Sequence, residues 1–286
     1  MTNTTAQSAN ADQIAFWNAR AAETWVELQD RLDLFLAPFG QTTLDAAELR
    51  AGQRVLDLGC GCGTTTLELA RAVGPSGQAV GIDISSTMLE HARQRATQTS
   101  VANARFENAD AQTHAFRDGD FDVIYSRFGN MFFDDPVAAF GNLRRALKPG
   151  GRLSLCCWQA VQSNPWMLVP TMAAMQHVTI EMPADPHAPG PFALADPERV
   201  RSILERAGFR DVRIEPFTPT VTFGGTIEEA VSIMMRLGPT ATALEKADDA
   251  TRATVAGAIA DALAPYMTPQ GVCAPSAAWI VTASRP

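Results

Sequence analysis

The chain has 286 residues, of which 46% are hydrophobic and 19% charged, and its net charge is −8. That length buries one or two sizeable cores, and the composition is that of an ordinary globular protein. An acidic balance with no basic run argues against a nucleic-acid partner, and no apolar run reaches the ~18 residues of a membrane span. In chain order, residues 1–12 are polar, lack the regions of a signal peptide and are expected to fray. Ile14, Trp17, Ala21, Trp25, Leu28, Leu32 and Phe35 recur at helical spacing, and Pro38-Phe39-Gly40 should end that helix. A second helix over about 41–49 leads into a short apolar strand, Arg54–Leu58, then a glycine-rich turn, then a second strand closing on Asp83 and Ile84. A third strand ends near Phe106, and a fourth runs from Phe121 to Ser126. A helix stopped by Lys148-Pro149-Gly150-Gly151 precedes a fifth strand. Residues 160–196 are rich in Met, Trp and Pro, including Met167, Met172, Met175 and Met182. Asp196 and Pro197 open a helix as N-cap and first residue, and Gly208 closes it. Arg210–Phe217 is a sixth strand, two helices are expected within 226–264, and Ala277–Ser284 is a seventh strand.

The turn after the first strand reads Asp57-Leu58-Gly59-Cys60-Gly61-Cys62-Gly63. Glycine lets the backbone bend sharply and lets a ligand approach, because any Cβ would intrude. A carboxylate at the tip of the next strand, Asp83, is placed to accept hydrogen bonds from two ribose hydroxyls. Together they describe a nucleoside site. A dinucleotide fold wants G-x-G-x-x-G, and Thr64 stands where its third glycine belongs. There is no G-x-x-x-x-G-K-[ST]. Asp57 would repel a pyrophosphate but suits a ligand bearing an ammonium or sulfonium. D-x-G-x-G-x-G followed by an acidic strand end resembles the class I S-adenosylmethionine (SAM) methyltransferases, and the helix–Lys-Pro-Gly-Gly–strand element resembles them too. The likeness is close over about 50–160 and holds in outline elsewhere.

The resemblance implies an α/β, Rossmann-like seven-stranded sheet in the order 3-2-1-4-5-7-6. The last strand would run antiparallel, with helices on both faces. A helical cap at 1–50 would precede a SAM-binding domain at 51–286, interrupted by a lid at about 160–196 and a helical insertion at 218–272. It implies SAM as cofactor, bound by Asp57, Gly59, Gly61, Gly63, Asp83, Ile84 and Ser126, with Asp110 on the adenine amino group and Ala111 beside the ring. The acceptor wall is expected from Phe128, Met131, Phe132, Phe133, Trp158 and Trp166, and from Trp25 with Arg31; all but Arg31 also read as core residues. Their apolar, aromatic character points to a small hydrophobic or aromatic acceptor. No residue stands out as catalytic, because a sulfonium methyl needs positioning more than a nucleophile. His177, in the lid, is the one candidate base. His91 and His114 are expected in solvent. Cys60 with Cys62, and Cys156 with Cys157, read as soft-metal ligands or as small packing residues. With no C-x-x-C and no histidine at ligand spacing, packing is preferred and no metal is expected. An odd cysteine count favours a reducing cytoplasm over a disulfide framework. Two other readings stay open: a SAM-binding protein without methyl transfer, and a nicotinamide-dependent oxidoreductase. The sequence is silent on oligomeric state.

Overall fold

The computed structural model describes residues 10–181 and 183–286, so Met182 and the start of the expected fraying segment lie outside the described residues. Seven strands form the main sheet: β1 (Arg54–Leu58), β2 (Gln78–Asp83), β3 (Ala104–Asn108), β4 (Phe121–Arg127), β5 (Leu147–Trp158), β6 (Arg210–Phe217) and, far along the chain, β10 (Ala278–Ser284). Their order is β3-β2-β1-β4-β5-β10-β6. β1, β2, β3, β4 and β5 pair in parallel, whereas β10 runs antiparallel to both β5 and β6. This is the expected order and sense, with the final strand between the fifth and sixth.

Alternation along the strands sorts the core into two layers. Val55, Val123 and Tyr125 face a cluster with Leu67, Leu69 and Val73, from α4 (Thr64–Val73). Leu56 and Ile124 face the opposite cluster with Phe140 and Leu143, from α6 (Pro136–Ala146), and with Ile203 and Leu204, from α8 (Pro197–Arg206). Ile124 and Tyr125 are fully buried, and side chains of that size contribute about 1.5–3 kcal/mol each on leaving water. α5 (Ser86–Gln98) closes on β3. Asp196 caps α8 by accepting from Glu198 N, as the sequence pattern expects.

Three elements depart from expectation. The N-terminal cap is three helices, α1 (Ala11–Trp17), α2 (Arg20–Glu27) and α3 (Gln29–Ala47). Pro38 lies inside α3 and does not end it. The helix is held past the proline by packing on β4, β5 and β10 and by the Tyr125 hydroxyl, which donates to Gly40 O at 3.0 Å. The carbonyl that Pro38 leaves without a partner belongs to Leu34, on the helix's outer face. The insertion holds three helices rather than two, α9 (Ile227–Met234), α10 (Gly238–Leu244) and α11 (Asp249–Leu263), because Gly238-Pro239 restarts the chain. A small second sheet, β7 (Thr220–Thr222), β8 (Met267–Thr268) and β9 (Gly271–Pro275), flanks them. Together with α7 (Pro165–Ala174) from the lid, these elements pack into one cap over the carboxyl ends of the strands.

Candidate active site

The floor of the site is built at strand tips, where backbone amides and carbonyls leave the sheet. Gly59, Gly61 and Gly63 all adopt left-handed φ, at 66°, 51° and 84°. Each is needed for a different reason. A Cβ on Gly59 would stand 2.6 Å from the Cα of Gly129, so the tips of β1 and β4 touch backbone to backbone. A Cβ on Gly63 would stand 2.7 Å from the Cβ of Ala92 and 2.9 Å from the Phe106 ring, so this glycine lets α5 and β3 close on the loop. A Cβ on Gly61 would meet only Met88 Sδ, at 3.8 Å. Gly61 faces open cavity and is the one that leaves room for a ligand.

Asp83, at the tip of β2, accepts from Gly61 N and Ser85 N, each at 2.8 Å. Burial raises its pKa, against the pull of these amide donors. Each carboxylate oxygen has a second lone pair, so the group can still accept from a diol. Asp110 is reached from two sides. Its Oδ1 accepts from Gln112 N and from Asn10 Nδ2, both at 2.9 Å. Asn10 Oδ1 in turn accepts from Asp134 N at 2.7 Å. At the other end of α1, Asn18 Nδ2 donates to Ile84 O at 2.8 Å and its Oδ1 accepts from Ser86 N at 3.0 Å. α1 is therefore slung across the crevice between Asp110 and the tip of β2.

Beyond the crevice the wall turns aromatic. Phe128 has φ 64°, a conformation that bulky residues rarely adopt, and its ring stacks on Trp158 at 4.0 Å and 12°. Trp166 packs on Trp158 at 5.2 Å and on Phe35 at 4.7 Å. Trp17 links Trp25 and Phe132 edge to face. Crevice and wall belong to one cavity of about 1700 Å³. It gathers Gly59, Gly61, Asp83, Ile84, Asp110 and Ala111 on the floor. Trp25, Arg31, Phe128, Met131, Phe132, Phe133, Trp158 and Trp166 line its walls.

Four expected site residues stand elsewhere. Asp57 is fully buried. Its Oδ2 accepts from the hydroxyls of Thr65 and Thr66 at 2.7 and 2.6 Å, which ties β1 to the first turn of α4. Its Oδ1 has no partner, and burial pushes its carboxyl up to about 6. Ser126 is buried as well and donates to Leu58 O at 2.9 Å, joining β4 to β1. Gly63 serves packing, as above. His177 is exposed just past α7 and does not line the cavity.

Sequence reasoning missed Gly129, Asn10 and Asn18, whose partners lie far away in the chain. It also missed a polar network under the wall. Asp33 on α3 pairs with Arg95 at 3.2 Å and with Arg127 at 3.4 Å, and it accepts from the Thr64 hydroxyl at 2.7 Å. The cysteine pairs 60/62 and 156/157 are buried free thiols. Among the described residues no three His, Cys, Asp or Glu side chains are gathered as a metal site.

Residues 49–208, more than half of the chain, match the family model described as a methyltransferase domain. The chain belongs to the class I SAM-dependent methyltransferases. The cradle at Gly61 and the carboxylate of Asp83 fit the cofactor that this family carries. Aklanonic acid methyltransferase DauC from a Streptomyces species is 36% identical to this methyltransferase over 126 residues. That match covers 44% of this chain and only 57% of the Streptomyces protein. The ubiquinone/menaquinone biosynthesis C-methyltransferase UbiE of Saccharophagus degradans is 31% identical over 191 residues, covering 62% of this methyltransferase and 75% of UbiE. Among solved structures, the YcgJ protein of Bacillus subtilis superposes with a TM-score of 0.56 at 22% identity, over 86% of this chain and 97% of its own, a likeness of fold.

Proposed function

We propose that this chain transfers the methyl group of SAM to a small, hydrophobic or aromatic organic molecule. The observation that carries the reading is the single cavity of about 1700 Å³ running from Asp83 and Asp110 to the Phe128–Trp158 stack. Pockets for one small ligand span roughly 300–1,000 Å³, so this one has room for a cofactor and an acceptor side by side. When bound, SAM supplies an activated methyl on a sulfonium whose leaving group is neutral. The protein's part is to hold both molecules and exclude water.

In this reading Gly61 admits the cofactor, Gly59 brings the tip of β4 against it, and Asp83 accepts from the ribose. Asp110 shares its carboxylate between Asn10 and the adenine amino group. The amide next to it, at Ala111, is offered to the ring. Phe128, Trp158 and Trp166 form the acceptor's wall, and Trp25, Met131 and Phe132 close over it. Arg31 stands at the rim, paired with Glu229. From DauC and UbiE we carry over only that the acceptor is an organic small molecule. The net charge of −8 supports an acceptor other than nucleic acid. No helix among the described residues is long and apolar enough to cross a membrane. Five free cysteines support a cytoplasmic setting.

The deciding experiment offers labelled SAM and a panel of aromatic acceptors to the full chain, with calorimetry against S-adenosylhomocysteine and against NAD on the same preparation. Binding of S-adenosylhomocysteine together with label transfer is expected. Binding of NAD alone would turn the reading to an oxidoreductase, and cofactor binding without transfer to any acceptor would turn it to a SAM-binding protein.

A further inference from the structure

Deprotonating an acceptor takes a side chain that can accept a proton and can reach it. On the floor of this cavity the titratable groups are engaged. Asp83 holds the amides of Gly61 and Ser85, and Asp110 holds Gln112 N and Asn10. The thiols of Cys60 and Cys62 stay protonated, because burial pushes the first well above the usual thiol range and the second up to about 12. Arg127, Arg31 and Arg236 are tied to Asp33, Glu229 and Glu27. They and the two remaining lining arginines, Arg20 and Arg252, carry guanidiniums that cannot accept a proton. The other lining carboxylates, Glu181, Asp185 and Glu245, are exposed at the rim. Among the described residues no histidine, lysine or tyrosine lines the cavity, and none occurs at 1–9 or 182 in the sequence.

The wall itself is apolar, and its character extends to the mouth. Phe16, Leu34, Met172 and Met175, four of the five exposed large apolar side chains among the described residues, line the same cavity. Resting on the methyl-transfer reading above, we propose that the acceptor is a large apolar molecule whose attacking oxygen or carbon is already anionic at neutral pH. An acidic enol, an acidic phenol or a carboxylic acid meets this description, and the chain supplies no base.

In such a transfer the acceptor's electron pair forms the new bond to the methyl carbon. The carbon–sulfur bond breaks with its pair left on sulfur, and the sulfonium and acceptor charges cancel. A carbon acceptor then gives its remaining proton to water. Surroundings of low polarity favour a step that cancels charge, so an aromatic wall without a base suits an anionic acceptor and serves a neutral phenol poorly. An amine acceptor, protonated at neutral pH, would need the base that the wall lacks.

The test compares three acceptors of similar size: 2-hydroxy-1,4-naphthoquinone, whose hydroxyl is ionised well below neutrality, 2-naphthol, whose hydroxyl is not, and 1-(aminomethyl)naphthalene, whose alkylamine is protonated at neutral pH. With full-length protein and SAM, kcat/KM for the acidic quinone should stay level between pH 6 and pH 8. For 2-naphthol it should rise about tenfold per pH unit up to the naphthol's own pKa. A second readout needs no turnover. Bound beside S-adenosylhomocysteine at pH 7, 2-naphthol should keep the absorption of its neutral form. A naphtholate spectrum there, a 2-naphthol profile that levels off near neutrality, or preference for the amine would overturn the proposal. So would failure to methylate the quinone by a protein that binds S-adenosylhomocysteine. Failure to bind S-adenosylhomocysteine at all would instead overturn the methyl-transfer reading beneath it.

Discussion

Asp57 holds a charge where no water reaches it. Its carboxyl titrates at about 6 in the folded chain, above its ordinary 3.8. The folded state therefore keeps the proton more tightly than the unfolded one, and ionisation works against folding. Its contribution is most favourable below about pH 4, declines as pH rises from about 4 to about 6 and stays level above that. The swing is about 3 kcal/mol, because each tenfold gain in proton affinity is worth about 1.4 kcal/mol. Asp57→Asn keeps an oxygen for the Thr65 and Thr66 hydroxyls and cannot ionise. Its melting temperature relative to wild type should climb across that window and then hold constant, and a difference that does not change from pH 4 to pH 7 would refute the buried ionisation. Asp83→Ala removes the proposed ribose acceptor and frees the Gly61 amide at once. Affinity for S-adenosylhomocysteine should fall by about ten- to a hundredfold, on the order of 1.5–3 kcal/mol, and an unchanged Kd would remove Asp83 from the site. The glycines separate by the same logic. Gly61→Val should weaken the cofactor with a modest loss of stability from its φ, whereas Gly63→Val should lower the melting temperature first, because its Cβ would strike Ala92 and Phe106.

Two wall residues differ in what they support. Trp166 is 7% exposed and wedged between Phe35 and Trp158, with its indole N–H donating to Asn164 at 3.1 Å. Trp166→Ala should cost about 3–5 kcal/mol of stability, as large-to-small changes in a core do. Phe132 is only half-buried, packed on Trp17 from α1. Phe132→Ala should slow methyl transfer by about tenfold or more through lost positioning while S-adenosylhomocysteine affinity changes only a few-fold. Rates and affinities measured on the same preparations check this, and full turnover would make that wall residue structural. The elements that hold the cofactor floor were legible in the sequence because their signals are local: apolar strand, glycine turn and acidic tip follow one another within β1 and β2. The cap was less legible. Pro38 reads as a helix stop, and the packing of α3 on β4, β5 and β10, with the Tyr125–Gly40 hydrogen bond, overrides it. The Asn10–Asp110 and Asp33–Arg127 contacts join residues roughly a hundred positions apart, and no periodicity marks such pairs. Asp57 reads as a ligand contact because the sequence shows its place beside the glycines but not its burial.

The cavity is roofed from two sides, by the N-terminal helices and by the insertion, and two reciprocal ion pairs join them: Arg31 with Glu229, and Arg236 with Glu27. Both pairs are partly solvent-exposed, and such pairs are worth only about 0–1 kcal/mol and weaken with salt. Raising salt from about 0.05 M to about 0.5 M should therefore speed hydrogen exchange in α2 and α9 while leaving β1, β4 and β5 protected. Glu27→Lys should mimic salt in those helices, and exchange insensitive to both would show that apolar packing alone holds the roof. The sheet beneath has its own asymmetry. From β3 through β4 each strand lies beside one made not long before or after it. β5 and β6 meet no partner on their shared side until β10 slides between them, setting Ile280 opposite Cys156 and Glu215 at once. Pairings of such sequence separation are slow to form. A newly made chain should thus acquire a cofactor floor before it has an acceptor wall, and refolding should restore S-adenosylhomocysteine binding ahead of the burial of Trp158 and Trp166.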